Sequence, residues 1–208
     1  MKITKLGHSC LLVEMPEPLN RTLLIDPGVF SEVDVDSLEF VDDIVITHEH
    51  PDHVDKELLK RLVAKFPKAR VKAPATLAPK LEGISVTTDA VEGIEFFAAP
   101  HEGHPPFLTP PENIGVHYLG KLSHPGDSHS FTETKEILAL PITAPWGSVD
   151  RAVQLALQLK PKHILPIHDW HWKDEAREEM YNWIERVFAD NGIKFYKLKN
   201  GEPIVIDI

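Results

Sequence analysis

The sequence has 208 residues, 42% of them apolar, and a formal net charge of -10 with histidines neutral. That length and apolar share suit one globular domain and exclude a disordered chain. The acidic balance argues against nucleic-acid binding through a basic footprint but is compatible with a small anionic substrate, because bound cations set the local field of a site. The lone cysteine, Cys10, rules out an internal disulfide and reads as a small buried residue in the run Cys10-Leu11-Leu12-Val13. Met1 to Lys5 lead into a strand without a signal-peptide pattern, and no apolar run approaches the length of a membrane span. A cytoplasmic location is expected, with no membrane partner.

Short strands are predicted at Lys2 to Leu6, Cys10 to Glu14, Thr22 to Ile25 and Ile44 to Thr47, the last three being apolar runs bounded by turn residues. A helix is expected from about Lys56 to Phe66, where Leu59, Leu62, Val63 and Phe66 share a face. A short strand near Val71, a weak helix from Ala75 to Leu81, and strands at Ile84 to Thr88 and Ile94 to Ala99 come next. Pro105, Pro106, Pro110 and Pro111 make the stretch from Pro100 to Asn113 an ordered functional loop rather than a helix or inner strand. Strands follow at Ile114 to Leu119 and Ile137 to Leu140, then a helix from Val149 to Leu159 and a strand from His163 to Ile167.

The clearest helix runs from Asp174 to Ala189, with Met180, Trp183, Ile184, Val187 and Phe188 as its apolar stripe and Asn191-Gly192 as its stop. A terminal hairpin is predicted from Ile193 to Lys199 and Pro203 to Ile206, turning on Asn200-Gly201. With no repeat, linker or low-complexity tract, residues 1–208 read as a single α/β layered domain of sheets covered by helices.

The 12 histidines cluster, and the densest cluster is Thr47-His48-Glu49-His50-Pro51-Asp52-His53, directly after a predicted strand. His48 and His50 can point the same way on leaving the strand, and a turn then brings Asp52 and His53 beside them. Imidazole nitrogen and carboxylate oxygen are ligands for zinc and related divalent metals. Four such residues within six positions can serve two adjacent ions, whereas a polar surface loop rarely has this spacing.

This run resembles the H-x-H-x-D-H signature of the metallo-β-lactamase superfamily. Later segments are similar to that family's remaining ligand positions, in order: His101 after Phe96-Phe97-Ala98-Ala99-Pro100, Asp127 in Gly126-Asp127-Ser128, and His168 after Ile164-Leu165-Pro166-Ile167. Gly7-His8-Ser9 and Leu23-Leu24-Ile25-Asp26-Pro27 resemble the small stand-alone hydrolases of the superfamily, near the ascorbate-phosphate lactonases. The resemblance implies a four-layer αββα sandwich, two mixed β-sheets flanked by helices. It also implies two divalent metal ions, zinc by preference, with manganese or iron as alternatives. His48, His50 and His101 would bind the first, Asp52, His53 and His168 the second, and Asp127 would bridge them.

The implied activity is hydrolysis of a small ester, lactone or phosphoester by a metal-bridging hydroxide, with Asp52 orienting the nucleophile. His104 competes with His101 for the same ligand position; His101 is preferred because it ends a strand, which holds it in place. Asp26 is a candidate to accept the outer N–H of a metal-bound histidine. For His8, a role in the site and a buried hydrogen bond are equally open. Trp146 and Trp170 are candidates to wall a pocket, with core packing as the alternative. Ile142-Thr143-Ala144-Pro145-Trp146-Gly147 departs from the paired glycines that the branch often carries there, so the substrate pocket is not inherited unchanged. Two other functions compete: a diiron-type oxidoreductase of the same fold, against which His50 argues, and a non-catalytic metal-binding module, against which the complete ligand set argues. The partner expected is a small-molecule substrate; oligomeric state is not legible.

Overall fold

The structure, a computed structural model, describes residues 1–87, 89–103 and 109–207. The chain forms two compact units, Met1–Asp89 with Lys199–Ile208, and Ala90–Leu198. The first unit is built on six strands: β1 (Lys2–Lys5), β2 (Leu11–Met15), β3 (Arg21–Ile25), β4 (Asp43–Val45), β5 (Arg70–Lys72) and, from the chain end, β12 (Pro203–Val205). Their order in the sheet is β12-β1-β2-β3-β4-β5, antiparallel from β12 to β3 and parallel from β3 to β5. Helix α1 (Lys56–Lys65) packs Leu58, Leu59 and Leu62 into a core with Leu24, Ile44 and Ile46. It begins at Asp55, whose side chain accepts from the backbone N–H groups of Glu57 and Leu58, satisfying two donors that the first helical turn leaves open.

The second unit holds β6 (Ile94–Ala98), β7 (Ile114–Tyr118), β8 (Leu122–His124), β9 (Ile137–Pro141), β10 (His163–Ile167) and β11 (Lys194–Phe195). They lie in the order β11-β10-β9-β8-β7-β6, parallel from β11 to β8 and antiparallel from β8 to β6. Helix α2 (Val149–Leu159) is capped by Ser148, which accepts from Arg151 N–H, and it stops where Lys160 turns left-handed at φ 53°. Helix α3 (Asp174–Ala189) buries Tyr181, Ile184 and Phe188 against the same core as Leu138, Leu140 and Ile164. Among the described residues, no helix is long and apolar enough to cross a membrane.

Several expectations need correction. Asn200-Gly201 does not close a hairpin: β11 pairs parallel with β10, whereas β12 pairs antiparallel with β1 in the other sheet. Trp183 is 48% exposed, and Tyr181 takes the buried position on α3 instead. The expected helix from Ala75 to Leu81 is a short 3-10 turn at Ala78–Lys80. The expected strand from Ile84 to Thr88 reduces to one bridge between Val86 and Val71, and Thr88 lies outside the described residues. Strand β8 was absent from the predicted set.

One buried group makes stability depend on pH. His117 on β7 is 3% exposed, stacks on Phe97 at 4.2 Å, and has Nδ1 2.9 Å from Ser123 Oγ. Burial first, then the nearby Lys135, holds its pKa below the ordinary histidine value. The neutral ring is thus favoured in the folded state, so stability is full above the unfolded pKa of about 6.5 and is lost as pH falls from there through the lowered folded value. His117→Gln is expected to flatten that part of a plot of Tm against pH, each kcal/mol corresponding to about 2–4 °C. An unchanged slope in the variant contradicts the assignment.

Candidate metal centre

In the first unit the His48–His53 segment leaves β4 through Ile46 and Thr47 and folds into a tight turn. His53 N–H and Val54 N–H both donate to His50 C=O, at 2.9 and 3.1 Å. The segment from Asp26 to Val29 straps this turn: Val29 N–H donates to Pro51 C=O at 2.8 Å, and Asp55 N–H to Pro27 C=O at 2.9 Å. The two stretches touch at Gly28, where an added Cβ would stand 1.9 Å from Asp52 O and 2.5 Å from His53 N. Only a residue without a side chain allows so close an approach.

The side chains follow from this scaffold. Asp26 is fully buried, and its left-handed backbone (φ 48°) turns the carboxylate back onto the His48–His53 segment. Oδ1 accepts from Thr47 N–H at 2.7 Å; Oδ2 accepts from Thr47 Oγ1–H and His53 Nδ1–H, each at 2.7 Å. His48 Nε2 and His50 Nδ1 converge to 3.1 Å, and the His48 and His53 rings lie 4.0 Å apart. His8, in the β1–β2 turn, places Nε2 3.1 Å from Asp52 Oδ2. His8, Asp52 and His53 each offer a ligand-type atom within 4.8 Å of the others.

The second unit gathers a matching set. His101 follows the end of β6, and its Nδ1–H donates to Glu102 C=O at 2.6 Å. Asn113 ties that segment to the Gly126-Asp127 turn: its Nδ2 donates to Ala99 C=O and Pro125 C=O, and its Oδ1 accepts from Asp127 N–H at 3.2 Å. His168 follows β10 in a left-handed conformation (φ 62°), a strained setting for a residue with a side chain, and Nδ1–H donates to Thr143 C=O at 2.8 Å. Asp127 Oδ2 then lies 3.2 Å from His168 Nε2, 3.6 Å from His101 Nε2 and 3.0 Å from the indole Nε1–H of Trp146, which donates to it. Behind His168, buried Asp169 accepts from Arg177 Nε–H at 3.0 Å and from Tyr181 O–H, anchoring α3 to the ligand-bearing turn. Burial, followed by the Asp169 carboxylate, raises the Tyr181 pKa well above its ordinary value.

A pattern runs through both sets. His53, His101 and His168 each have Nδ1 beside an oxygen acceptor, which puts the proton on Nδ1 and leaves the Nε2 lone pair for another partner. Imidazole nitrogens and carboxylate oxygens brought together in buried and half-buried positions fit the donor set of a divalent metal. In the first unit, the predicted residues His8, Asp26, His48, His50, Asp52 and His53 fall in one cluster. In the second, His101, Asp127, His168 and Trp146 fall in another. Trp170 is 49% exposed, and His104 lies outside the described residues. Sequence reasoning missed Asn113, Glu102, Asp169 and Gly28. Of these only Gly28, in Asp26-Pro27-Gly28, had a local signal, a turn pair beside a candidate residue.

Comparison with known proteins agrees with this donor chemistry. A family model described as the β-lactamase superfamily domain matches residues 2–168. Protein Rv0786c of Mycobacterium tuberculosis is 32% identical over 87% of this chain and 90% of its own length. A protein of Pyrococcus furiosus named UPF0173 metal-dependent hydrolase PF1764 is 25% identical over 86% of this chain and 88% of its own. Among solved structures, Igni18, described as a metallo hydrolase of the archaeon Ignicoccus hospitalis, superposes with a TM-score of 0.71 at 20% identity, covering 100% of this chain and 98% of its own.

Proposed function

The chain belongs to the metallo-β-lactamase superfamily, and from that membership we propose that it is a dinuclear hydrolase of small ester, lactone or phosphoester substrates. The observation that carries the reading is the shared orientation of His53, His101 and His168, each with Nδ1 at an oxygen acceptor and Nε2 turned toward a carboxylate. Following the family's signature order, His48, His50 and His101 would hold one metal and Asp52, His53 and His168 the other, and Asp127 would be shared. Zinc suits this nitrogen and oxygen set, and manganese or iron are the alternatives. Divalent metals bound there would supply Lewis acidity and acidify a water at neutral pH.

The protein's own groups have distinct tasks. Asp26 fixes the ring of His53 and the backbone of Thr47 together, so His53 presents Nε2 in one orientation. Asp52 orients the attacking water, and His8, 3.1 Å from its Oδ2, restrains that carboxylate. Residues 1–208 are proposed to act as one hydrolase domain, in keeping with a family match over residues 2–168. A cytoplasmic location is part of the same proposal.

A hydrolysis screen over lactones, thioesters and phosphodiesters tests the reading, run on protein as isolated, after metal stripping, and after zinc return. Turnover of at least one class, lost on stripping and regained with zinc, is the expected result. Turnover that survives complete stripping contradicts it. Tight metal binding with no turnover of any class favours a non-catalytic module instead. A narrower test is Asp26→Asn, which keeps the shape but removes the charge that His53 Nδ1–H meets. Zinc affinity is expected to fall about 10–100-fold, the usual loss when a partner behind a metal-bound histidine is removed. Chelator competition measures it, and unchanged affinity contradicts Asp26's role.

A further inference from the structure

Between β9 and α2 the chain makes a short turn in which Ala144 and Gly147 exchange backbone hydrogen bonds at 3.1 and 3.3 Å. This is the segment whose sequence departs from the branch's paired glycines. Thr143 C=O, at its start, accepts from His168 Nδ1–H at 2.8 Å. Trp146, at its tip, donates Nε1–H to Asp127 Oδ2 at 3.0 Å, ordinary hydrogen-bond geometry for an N–H donor and a carboxylate. The turn is braced from behind: Gly147 packs on the ring of His129, where an added Cβ would stand 2.9 Å away, and His129 Nε2–H donates to Pro141 C=O at 2.7 Å. The indole meets His129 and His168 edge-on, at 5.1 and 5.5 Å between ring centres.

We infer that Trp146 is a positioning residue for metal binding: its indole N–H fixes the Asp127 carboxylate while the same turn fixes the His168 ring. The inference rests on the proposal that Asp127 and His168 are metal ligands. An indole N–H is a donor only, so it favours the ionised carboxylate and restricts its rotation without competing for the metal. A carboxylate oxygen has two lone pairs, so Oδ2 can accept from Trp146 and still bind a cation. Packing on three imidazoles, with His101 at 6.2 Å between ring centres, keeps the indole in place for that contact.

The test compares W146F, which keeps an aromatic ring but removes the N–H donor and part of the ring system, with wild type and with D127N, all stripped and titrated with zinc against a chromophoric chelator. Zinc affinity in W146F is expected to fall about 10–100-fold, with the Tm of the stripped protein within a few degrees of wild type. Unchanged affinity in W146F while D127N is weakened overturns the role of Trp146 and leaves the ligand reading standing. Unchanged affinity in both overturns the two together. A loss of affinity matched by an equal loss of stripped-protein stability assigns Trp146 to packing and also overturns the inference. A readout needing no variant is the 15N-labelled indole spectrum of wild type. The Trp146 N–H resonance, identified by its contact with the His129 ring, is expected to shift as zinc is added, and a stationary resonance contradicts the contact.

Discussion

Asp127→Asn is expected to lower both metal content and turnover, the latter by at least about 100-fold, in the range seen when one preorganised electrostatic group is removed from an active site. The side chain is 3% exposed and faces Nε2 of both His101 and His168, at 3.6 and 3.2 Å, while its backbone is held by Asn113 Oδ1 and Glu102 N–H. The turn is therefore tied in place independently of the carboxylate, and the variant is expected to fold. Asparagine keeps one oxygen but loses the negative charge that the proposed function places between two dications. Its amide N–H₂ can instead donate to an imidazole lone pair, closing off a ligand. Metal analysis of the purified variant and its kcat on whichever substrate the wild type cleaves check this. Full metal content with normal turnover contradicts the proposed bridging role.

Gly28→Ala is the second substitution with a large expected effect, and it acts through backbone alone. A methyl group there would stand 1.9 Å from Asp52 O, 2.0 Å from Asp52 C and 2.5 Å from His53 N. Those atoms belong to the turn bearing two proposed ligands, and the backbone bonds from Val29 to Pro51 and from Asp55 to Pro27 tie them to the strap. Relief requires the strap and the turn to separate. Overpacking of this kind costs about 1–3 kcal/mol, roughly 2–4 °C of Tm per kcal/mol in a chain this size, and it moves Asp52 and His53 out of register. The expected outcome is a lower Tm in metal-free protein together with weakened zinc binding. Wild-type Tm and affinity would mean that the approach of the two segments is looser than the structure has it.

What could be read from the sequence was local. Helices α2 and α3 have the predicted bounds because their apolar positions recur with helical spacing, and α3 also ends at the Asn191-Gly192 stop. The His48–His53 cluster was legible because all its chemistry lies within six residues. Tertiary pairing overrode local signals elsewhere. Asn200-Gly201 has the composition of a hairpin turn, yet β12 finds a better partner in β1 at the far end of the chain. Strand β8 is three residues long and owes its place to β7 and β9 on either side. On α3 Trp183 falls in the apolar stripe by spacing, but Tyr181 is drawn inward because its hydroxyl reaches buried Asp169. Asn113 and Glu102 tie the Gly126-Asp127 turn to the segment after β6 through contacts between distant segments, and no spacing rule announces such contacts.

The most direct test of the account is the metal content of folded wild-type protein, purified without chelator and measured by mass spectrometry of the elements against protein concentration. The account expects close to two divalent ions per chain. One ion or none in protein that is fully folded, and that takes up no more when zinc is supplied, would contradict it.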